Sequence, residues 1–558
     1  MQREKDMDAI SELKKCIKGD VSEDEKILDQ YSRDASLFVV RPQAVVFPKD
    51  GEDVKNLVRF VIEKRENEPR LSLTARAAGT DMTGGPLSQS VVVAFSKYFN
   101  RIKNISAEDK TAVVEPGVYY RDFARELEKH NLLFPPYPAS RDICAMGGIV
   151  NNNSAGEKTL RYGQAKDYVV GLKAVLADGN EYVIRSLGRK ELAVKLALDG
   201  FEGELYRKMY ALVTENHELL QRAKPKVSKN SSGYLLWDIW DKEKDVFDLT
   251  KVFVGAQGTL GIMTEATLKL VTPEKHSQMV ILFLDELNSL GDLVNTVLEL
   301  KPTTFESYDD KTLKLAVKFF WQFIKRLGAR HIISIAFNAM GEFVSILRHG
   351  FPRLVLQITF DGNDKQELRD RALSLAERLK KFNPRYLEVI KSEREAQEYW
   401  LIRRESFGLL RHKIKDKKTA PFIDDIVVEP KHLPEFLPKL NEILKPYENR
   451  ITYTMAGHIG NGNFHIIPLM NLEKDEQRQI IPELADKVYQ LVLAYGGSMS
   501  GEHNDGLTRT SYLKQMFGEK VYALFEETKR IFDPAGIFNP GKKTGGDREF
   551  ALQHIRRE

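Results

Sequence analysis

A chain of 558 residues exceeds what one hydrophobic core can organise, so its length calls for two to four domains with room for a buried cofactor. With 84 Lys and Arg against 80 Asp and Glu the net charge is +4, too small at this size to point to nucleic acid. The only cysteines, Cys16 and Cys144, are too few for a disulfide framework, a thiolate zinc site or an iron–sulfur cluster, so any electron carrier must be organic. The opening MQREKDMDAISELKK lacks an apolar signal core, and no uncharged run approaches the roughly 20 residues that cross a bilayer. The expectation is a cytoplasmic protein.

In chain order, residues 8 to 35 read as short helices interrupted at Gly19-Asp20, within an N-terminal segment 1–37. RPQAVVFPKDGEDVKNLVRFVIEKR then gives strand, turn and helix, opening a domain near residue 38. Up to 272, β-rich stretches (SLTARA, SVVVAF, AVVEPG, GLKAVLADGNEYVI, TEATLKLV) alternate with helices such as YRDFARELEKHN, the pattern of an α+β domain. After Thr272-Pro273 the texture changes. SQMVILFLDELNSLGDLVNTVLEL and LVLQITFDGNDKQELRDRALSLAERLKKF each join an apolar strand to an amphipathic helix, which predicts a second domain, 273–500, of sheet covered by helices. A last segment runs from 501 to 558. Between the two strand–helix units, residues 311–351 are aromatic and basic, with Lys311, Lys314, Lys318, Lys325, Arg326, Arg330 and Arg348 against Glu342 alone. That composition suits a membrane-surface or partner-docking helix at the inner face of a membrane, and somewhat better a buried helical pair, since amphipathic stripes are usually core.

SLTARAAGTDMTGG follows a strand, and its small residues let backbone N–H groups converge on an anion such as a cofactor phosphate. Alone the signal is weak, since the nicotinamide-binding glycine pattern is missing. ICAMGGIVNNNSAGEKTLRYG and FVGAQGTLGIMTEATL repeat the device twice more. With RPQAVVFP, KNSSGY and the C-terminal FDPAGIFNPGK in order, residues 38 to 545 resemble the FAD oxidoreductases of the vanillyl-alcohol-oxidase type, in the D-lactate, glycolate and D-2-hydroxyglutarate dehydrogenase branch. The resemblance implies a two-lobed FAD-binding domain over 38–272, an α/β cap carrying an antiparallel sheet, and a C-terminal segment that returns to the flavin. It implies that Arg76, Ala78, Gly79, Thr80 and Asp81 wrap the pyrophosphate. Ser140, Gly147, Gly148, Asn152, Gly156, Gly258 and Ile262 would line the adenine-to-flavin channel, with Asn539 also at the cofactor. ARAAGTDM has no histidine, and Cys144 does not match the cysteine attachment motif, so the flavin is expected to be dissociable and Cys144 a buried small hydrophobe.

AGHIGNGNFHI places His458 and His465 seven residues apart on glycines and asparagines that no helix would tolerate. On one regular strand they would face opposite sides, so the chain must bend between them; a loop entering NFHIIPLM would let both imidazoles meet at one ion. SMSGEHNDG adds Glu502 and His503. Two histidines and a carboxylate leave positions open for substrate oxygens, as a catalytic divalent metal, zinc or manganese, requires. In the branch the same set occurs as metal ligands, with His503 as general base. EYWLIRRESFGLLR matches the helix that supplies a cation for the substrate carboxylate, with Arg403 the best match. Where dicarboxylate-specific members place a lysine, PFIDDIVVEP has Ile423 and Asp424, which weighs against 2-hydroxyglutarate. The expected activity is oxidation of a D-lactate- or glycolate-like D-2-hydroxy acid to the 2-oxo acid, by hydride transfer to flavin N5. The acceptor is left open between quinone, an electron-transfer protein and oxygen. Rival readings are an alcohol or alditol oxidase on the same scaffold, which gives His458, His465 and Glu502 no purpose, and a flavin electron-transfer subunit without hydroxy-acid activity, which would show flavin absorbance but no bleaching by any 2-hydroxy acid.

Overall fold

The computed structural model describes residues 2–318, 350–400, 403 and 417–557, so the stretch 311–351 singled out above lies mostly outside the described residues. Three sheets organise the described residues. The first contains β1 (Asp20–Ser22), β2 (Ala44–Phe47), β3 (Leu73–Arg76) and β4 (Val91–Ala94) in the order β1-β2-β4-β3. β2 and β3 run parallel to β4, and the valine-rich runs of the central strands β2 and β4 are buried, as parallel strands covered on both faces require. The helix Gly51–Lys64 covers this sheet with Val54, Leu57, Val58 and Val61, and Asp50 caps its N-terminus by accepting from the Asp53 amide. The break predicted at Gly19-Asp20 is a strand rather than a turn between helices. β1 pairs antiparallel with β2, and Gly19 is needed because a Cβ there would collide with the Phe47 carbonyl.

The second sheet is antiparallel, with β5 (Ile102–Ser106), β6 (Thr111–Val114), β7 (Val169–Val175), β8 (Glu181–Gly188), β9 (Trp240–Asp241), β10 (Val246–Asp248) and β11 (Ile262–Lys269) ordered β5-β6-β11-β7-β8-β10-β9. Its core includes Phe123, Phe134, Tyr206, Phe247 and Phe253. The third sheet, also antiparallel, begins at His276. It comprises β12 (His276–Leu284), β13 (Thr304–Asp309), β14 (Leu354–Gly362), β15 (Tyr386–Val389), β16 (Lys418–Thr419), β17 (Ile426–Val427), β18 (Thr452–His458) and β19 (Asn463–Met470). The order is β15-β12-β14-β13-β18-β19-β16, with β17 paired to β19. The helices Leu290–Glu299, Lys365–Leu379, Leu433–Leu444 and Ile480–Ala494 bury their apolar stripes against it. After the helix Leu513–Phe532 the chain turns back, and Phe538 pairs with Leu73 at the edge of the first sheet. No helix among the described residues is long and apolar enough to cross a membrane.

Candidate active site

The three glycine-rich loops surround one cavity of about 710 Å³, large enough for a dinucleotide-sized ligand. The first leaves β3 and needs left-handed backbone at Gly79 and Gly84 (φ 71° and 81°). Arg76 lies beneath it. Its guanidinium stacks on Tyr31 at 4.9 Å and donates to the Tyr31 and Arg33 carbonyls at 3.1 and 2.6 Å. Asp81 knots the loops together. One carboxylate oxygen accepts from the Thr83 amide and hydroxyl and the Gly85 amide; the other accepts from Asn152 Nδ2 (2.9 Å) in the second loop and Gln257 Nε2 (3.4 Å) in the third. An anion so engaged joins the three loops at the cavity wall.

Arg76, Ala78, Gly79, Thr80, Asp81, Ser140, Gly147, Gly148, Asn152 and Gly258 all line the cavity. A Cβ added at Gly148 would meet no protein atom within 4 Å, so the absent side chain leaves a cradle for the ligand. Gly156, Ile262 and Asn539 stand outside the lining. Gly156 lets the second loop pass the Tyr137 carbonyl, Ile262 belongs to the core beneath the first sheet, and Asn539 ties loops together. Asn539 donates to the carbonyls of Gly85 (3.0 Å) and Gln257 (2.7 Å) and accepts from the Thr74 hydroxyl. Cys144 is buried, which pushes its thiol up to about 12.

At the cap end of the cavity, β18 and β19 form a hairpin that brings the two separated histidines onto one face. His458 ends β18 opposite Asn463, and His465 lies two residues further along β19, opposite Ala456. The rings stand 5.2 Å apart, and Gly462 turns the chain with φ 66° where a Cβ would collide with the Val428 carbonyl. Glu502 completes the cluster: its Oε1 lies 3.4 Å from both His458 Nε2 and His465 Nε2, and 3.8 Å from His503 Nε2. One ligand atom from each of His458, His465 and Glu502 falls within 4.8 Å of the others.

The opposite ring nitrogens are held from behind. His458 Nδ1 meets Glu306 Oε1 at 2.7 Å, His465 Nδ1 meets Asp424 Oδ1 at 3.1 Å, and His503 Nδ1 lies 2.8 Å from Asp424 Oδ2. Where Glu306 accepts from His458 Nδ1–H and Asp424 from His465 Nδ1–H, the Nε2 lone pairs are left facing inward, the arrangement of histidines that hold a metal ion. Lys229 of KNSSGY is fully buried, with Nζ 3.0 Å from Glu502 Oε2 and 3.3 Å from Asn463 Oδ1, so only Oε1 faces the imidazoles. Asp425 shapes the Glu502 turn: its Oδ2 accepts from the amides of Glu502 and His503 and the Ser500 hydroxyl, at 2.9, 2.7 and 2.7 Å. Arg403 lines the same cavity, and its Nη2 lies 2.5 Å from Glu306 Oε2.

These groups perturb one another. Burial works against the Glu502 charge, yet Lys229 and His458 hold it well below the usual carboxylate range; burial likewise opposes the Asp424 charge, and His503 and His465 hold it low. Burial disfavours the charged form of His465, but Asp424 and Glu502 push it up to about 10, and His503 is raised chiefly by Asp424 against the same burial. The donor set could hold a divalent ion, which would replace the proton on His465. Asp424, read from sequence as an acid on the substrate side, is buried with its charge met by two imidazoles, so the argument it gave against a dicarboxylate loses its premise.

Residues 273–543 match the C-terminal domain of the FAD linked oxidases, and residues 42–185 match an FAD binding domain. The chain is 27% identical to a D-2-hydroxyglutarate dehydrogenase of Escherichia coli (strain K12), over 92% of this chain and 49% of the relative, so it spans about half the length of that protein. It is 26% identical to the glycolate oxidase subunit GlcD of Bacillus subtilis (strain 168), over 93% of this chain and 92% of the relative. Among solved structures, p-cresol methylhydroxylase with substrate bound superposes with a TM-score of 0.68 at 15% identity, covering 97% of each chain. The fold is that of the vanillyl-alcohol-oxidase-type flavoproteins, as the sequence led one to expect.

Proposed function

From the matches of residues 42–185 to an FAD binding domain and of 273–543 to the C-terminal domain of the FAD linked oxidases, we propose that this chain oxidises a D-2-hydroxy acid to the 2-oxo acid, with the help of a divalent metal. One observation carries the reading. Three imidazoles and Glu502 converge at the cap end of the cavity whose other end the three cofactor loops enclose. Bound FAD would supply the hydride acceptor, held among the loops at Gly79, Gly148 and Gly258. A zinc or manganese ion held by His458, His465 and Glu502 would supply Lewis-acid polarisation of the substrate oxygens.

His503 takes the hydroxyl proton at Nε2, because its Nδ1 is turned to Asp424. Asp424 stabilises the imidazolium that forms, as its contact raises the proton affinity of His503. Arg403 receives the substrate carboxylate, and Glu306 fixes the guanidinium while that happens. Lys229 keeps Glu502 ionised and turned, and the Asp425 carboxylate holds the Glu502–His503 turn in place.

The test is an anaerobic absorbance titration of the purified flavoprotein with D-lactate, glycolate and D-2-hydroxyglutarate and, for the chiral acids, their L-counterparts, before and after chelation. Bleaching by a D-acid or glycolate, lost on chelation and restored by zinc or manganese, is the expected result. Full flavin and metal occupancy without bleaching by any of them would overturn the proposal.

A further inference from the structure

Two buried carboxylates in the cap have the same placement. Glu306, on β13, and Asp424, two residues before β17, are fully buried. Each uses its two oxygens on two different partners. Glu306 puts Oε1 on His458 Nδ1 at 2.7 Å and Oε2 on Arg403 Nη2 at 2.5 Å. Asp424 puts Oδ1 on His465 Nδ1 at 3.1 Å and Oδ2 near His503 Nδ1 at 2.8 Å. In both cases one partner belongs to the convergent set around Glu502 Oε1, and the other is a cavity-lining residue with a task at the substrate.

We propose that Glu306 and Asp424 are paired positioning residues. Each rigidly joins one metal-ligand imidazole to one substrate-handling side chain, His458 to Arg403 and His465 to His503. The inference rests on the function proposed above. Its physical basis is geometric. A carboxylate has two acceptor oxygens at a fixed separation, so a ring hydrogen-bonded to one oxygen and a cation or second ring in close ion-pair contact with the other are constrained together. Burial removes the water that would otherwise compete for those oxygens. The supports are themselves anchored from separate elements. Glu306 sits on the strand between β14 and β18, and the Asp424 carbonyl accepts from the fully buried Arg509. The Asp425 carboxylate then fixes the turn that presents His503. One bridge thus couples the ion to substrate binding and the other couples it to proton transfer.

The bridges predict two different patterns of loss. Glu306→Gln and Asp424→Asn are prepared as FAD-loaded protein, stripped of metal and titrated with zinc and manganese by chelator competition. Product binding is read separately from the flavin spectral shift on adding pyruvate or glyoxylate, and the limiting rate of flavin reduction by D-lactate is measured at saturating metal. Both variants should lose about 10- to 100-fold in metal affinity, the usual cost of removing a group that orients a metal-ligating histidine. Glu306→Gln should weaken product binding roughly tenfold with the reduction rate changed less than about threefold, since Arg403 is the group set loose. Asp424→Asn should leave product binding within about threefold and slow reduction by at least roughly 100-fold, since His503 is. Glu306→Asp and Asp424→Glu, which keep the charge and move it by one methylene, should show the same two patterns in smaller measure, and they serve if an amide variant retains no flavin. Metal affinity within twofold of the parent in both variants would overturn the inference. So would an identical pattern of loss in both, which a purely structural role predicts. If no hydroxy acid reduces the parent flavin, the proposed reaction fails, and the metal affinities and product binding alone decide between the bridges and a structural role.

Discussion

Lys229→Met offers the sharpest probe of the charge balance at the site. The ammonium is fully buried, and it is the cation nearest Glu502 Oε2 at 3.0 Å. Methionine has a similar reach and no charge, so in metal-free protein the Glu502 carboxylate loses the main partner holding it ionised. Removing one member of a buried ion pair costs about 3–5 kcal/mol. Each kcal/mol moves the midpoint of a 150–250-residue domain by roughly 2–4 °C, and proportionately less in a larger cooperative unit. A fall on the order of 5–10 °C follows for the chelated flavoprotein. A divalent ion facing Oε1 would give Glu502 a second positive partner, so saturating zinc or manganese should raise the midpoint of the variant by more than that of the parent. The assay is flavin fluorescence released on heating, with and without metal, at one pH. A fall below about 2 °C, or the same fall with and without metal, would refute the reasoning.

Other outcomes follow from the same structure. In metal-free protein His465 is pushed up to about 10 from an unfolded value near 6.5, so its stabilising contribution is whole below pH 6.5 and disappears as pH rises towards 10. Chelated protein should therefore melt at a lower temperature at pH 9.5 than at pH 7, while metal affinity measured by chelator competition strengthens over that interval as the competing proton leaves. Asp81→Ala removes the acceptor shared by three loops and should release FAD during gel filtration, with at least about a tenfold rise in its dissociation constant on re-titration. Acid precipitation should leave all flavin in the supernatant, and a thiol reagent at pH 8 should modify Cys16 before Cys144, whose buried thiol lies up at about 12.

The parts of the site that announce themselves by backbone demand were legible in the sequence. Glycines at 79, 84 and 258 mark places where only a left-handed or unobstructed backbone serves, and His458 and His465 were conspicuous because glycine and asparagine separate them. What holds these residues was harder to read. Glu306 hides in TFESYD as one acid in a strand, although period-two alternation puts it on the face of Thr304 and Tyr308, all buried. Lys229 in KNSSGY carries no local sign of its role, because its partners lie more than 200 residues away in sequence. A strand acid such as Asp424 looks the same in sequence whether it faces ligand or histidine. The motif places Asn539 and Gly156 near the cofactor, and the structure adds that one is a knot between loops and the other gives clearance for a carbonyl.

The knot at Asp81 and Asn539 has a consequence for how the protein is made. Its members lie at 81, 85, 152, 257 and 539, and the first and third loops are not fully tied until the last of these is in place. At a synthesis rate of about 5–20 residues per second, roughly 20 to 90 s separate the appearance of Asp81 from that of Asn539. During that interval the nascent first and second sheets can form, but the dinucleotide has no closed seat. Flavin loading is then a late event, after translation of the cap, and a cell short of FAD would accumulate chains whose amino-terminal half waits folded and empty on its carboxyl-terminal latch.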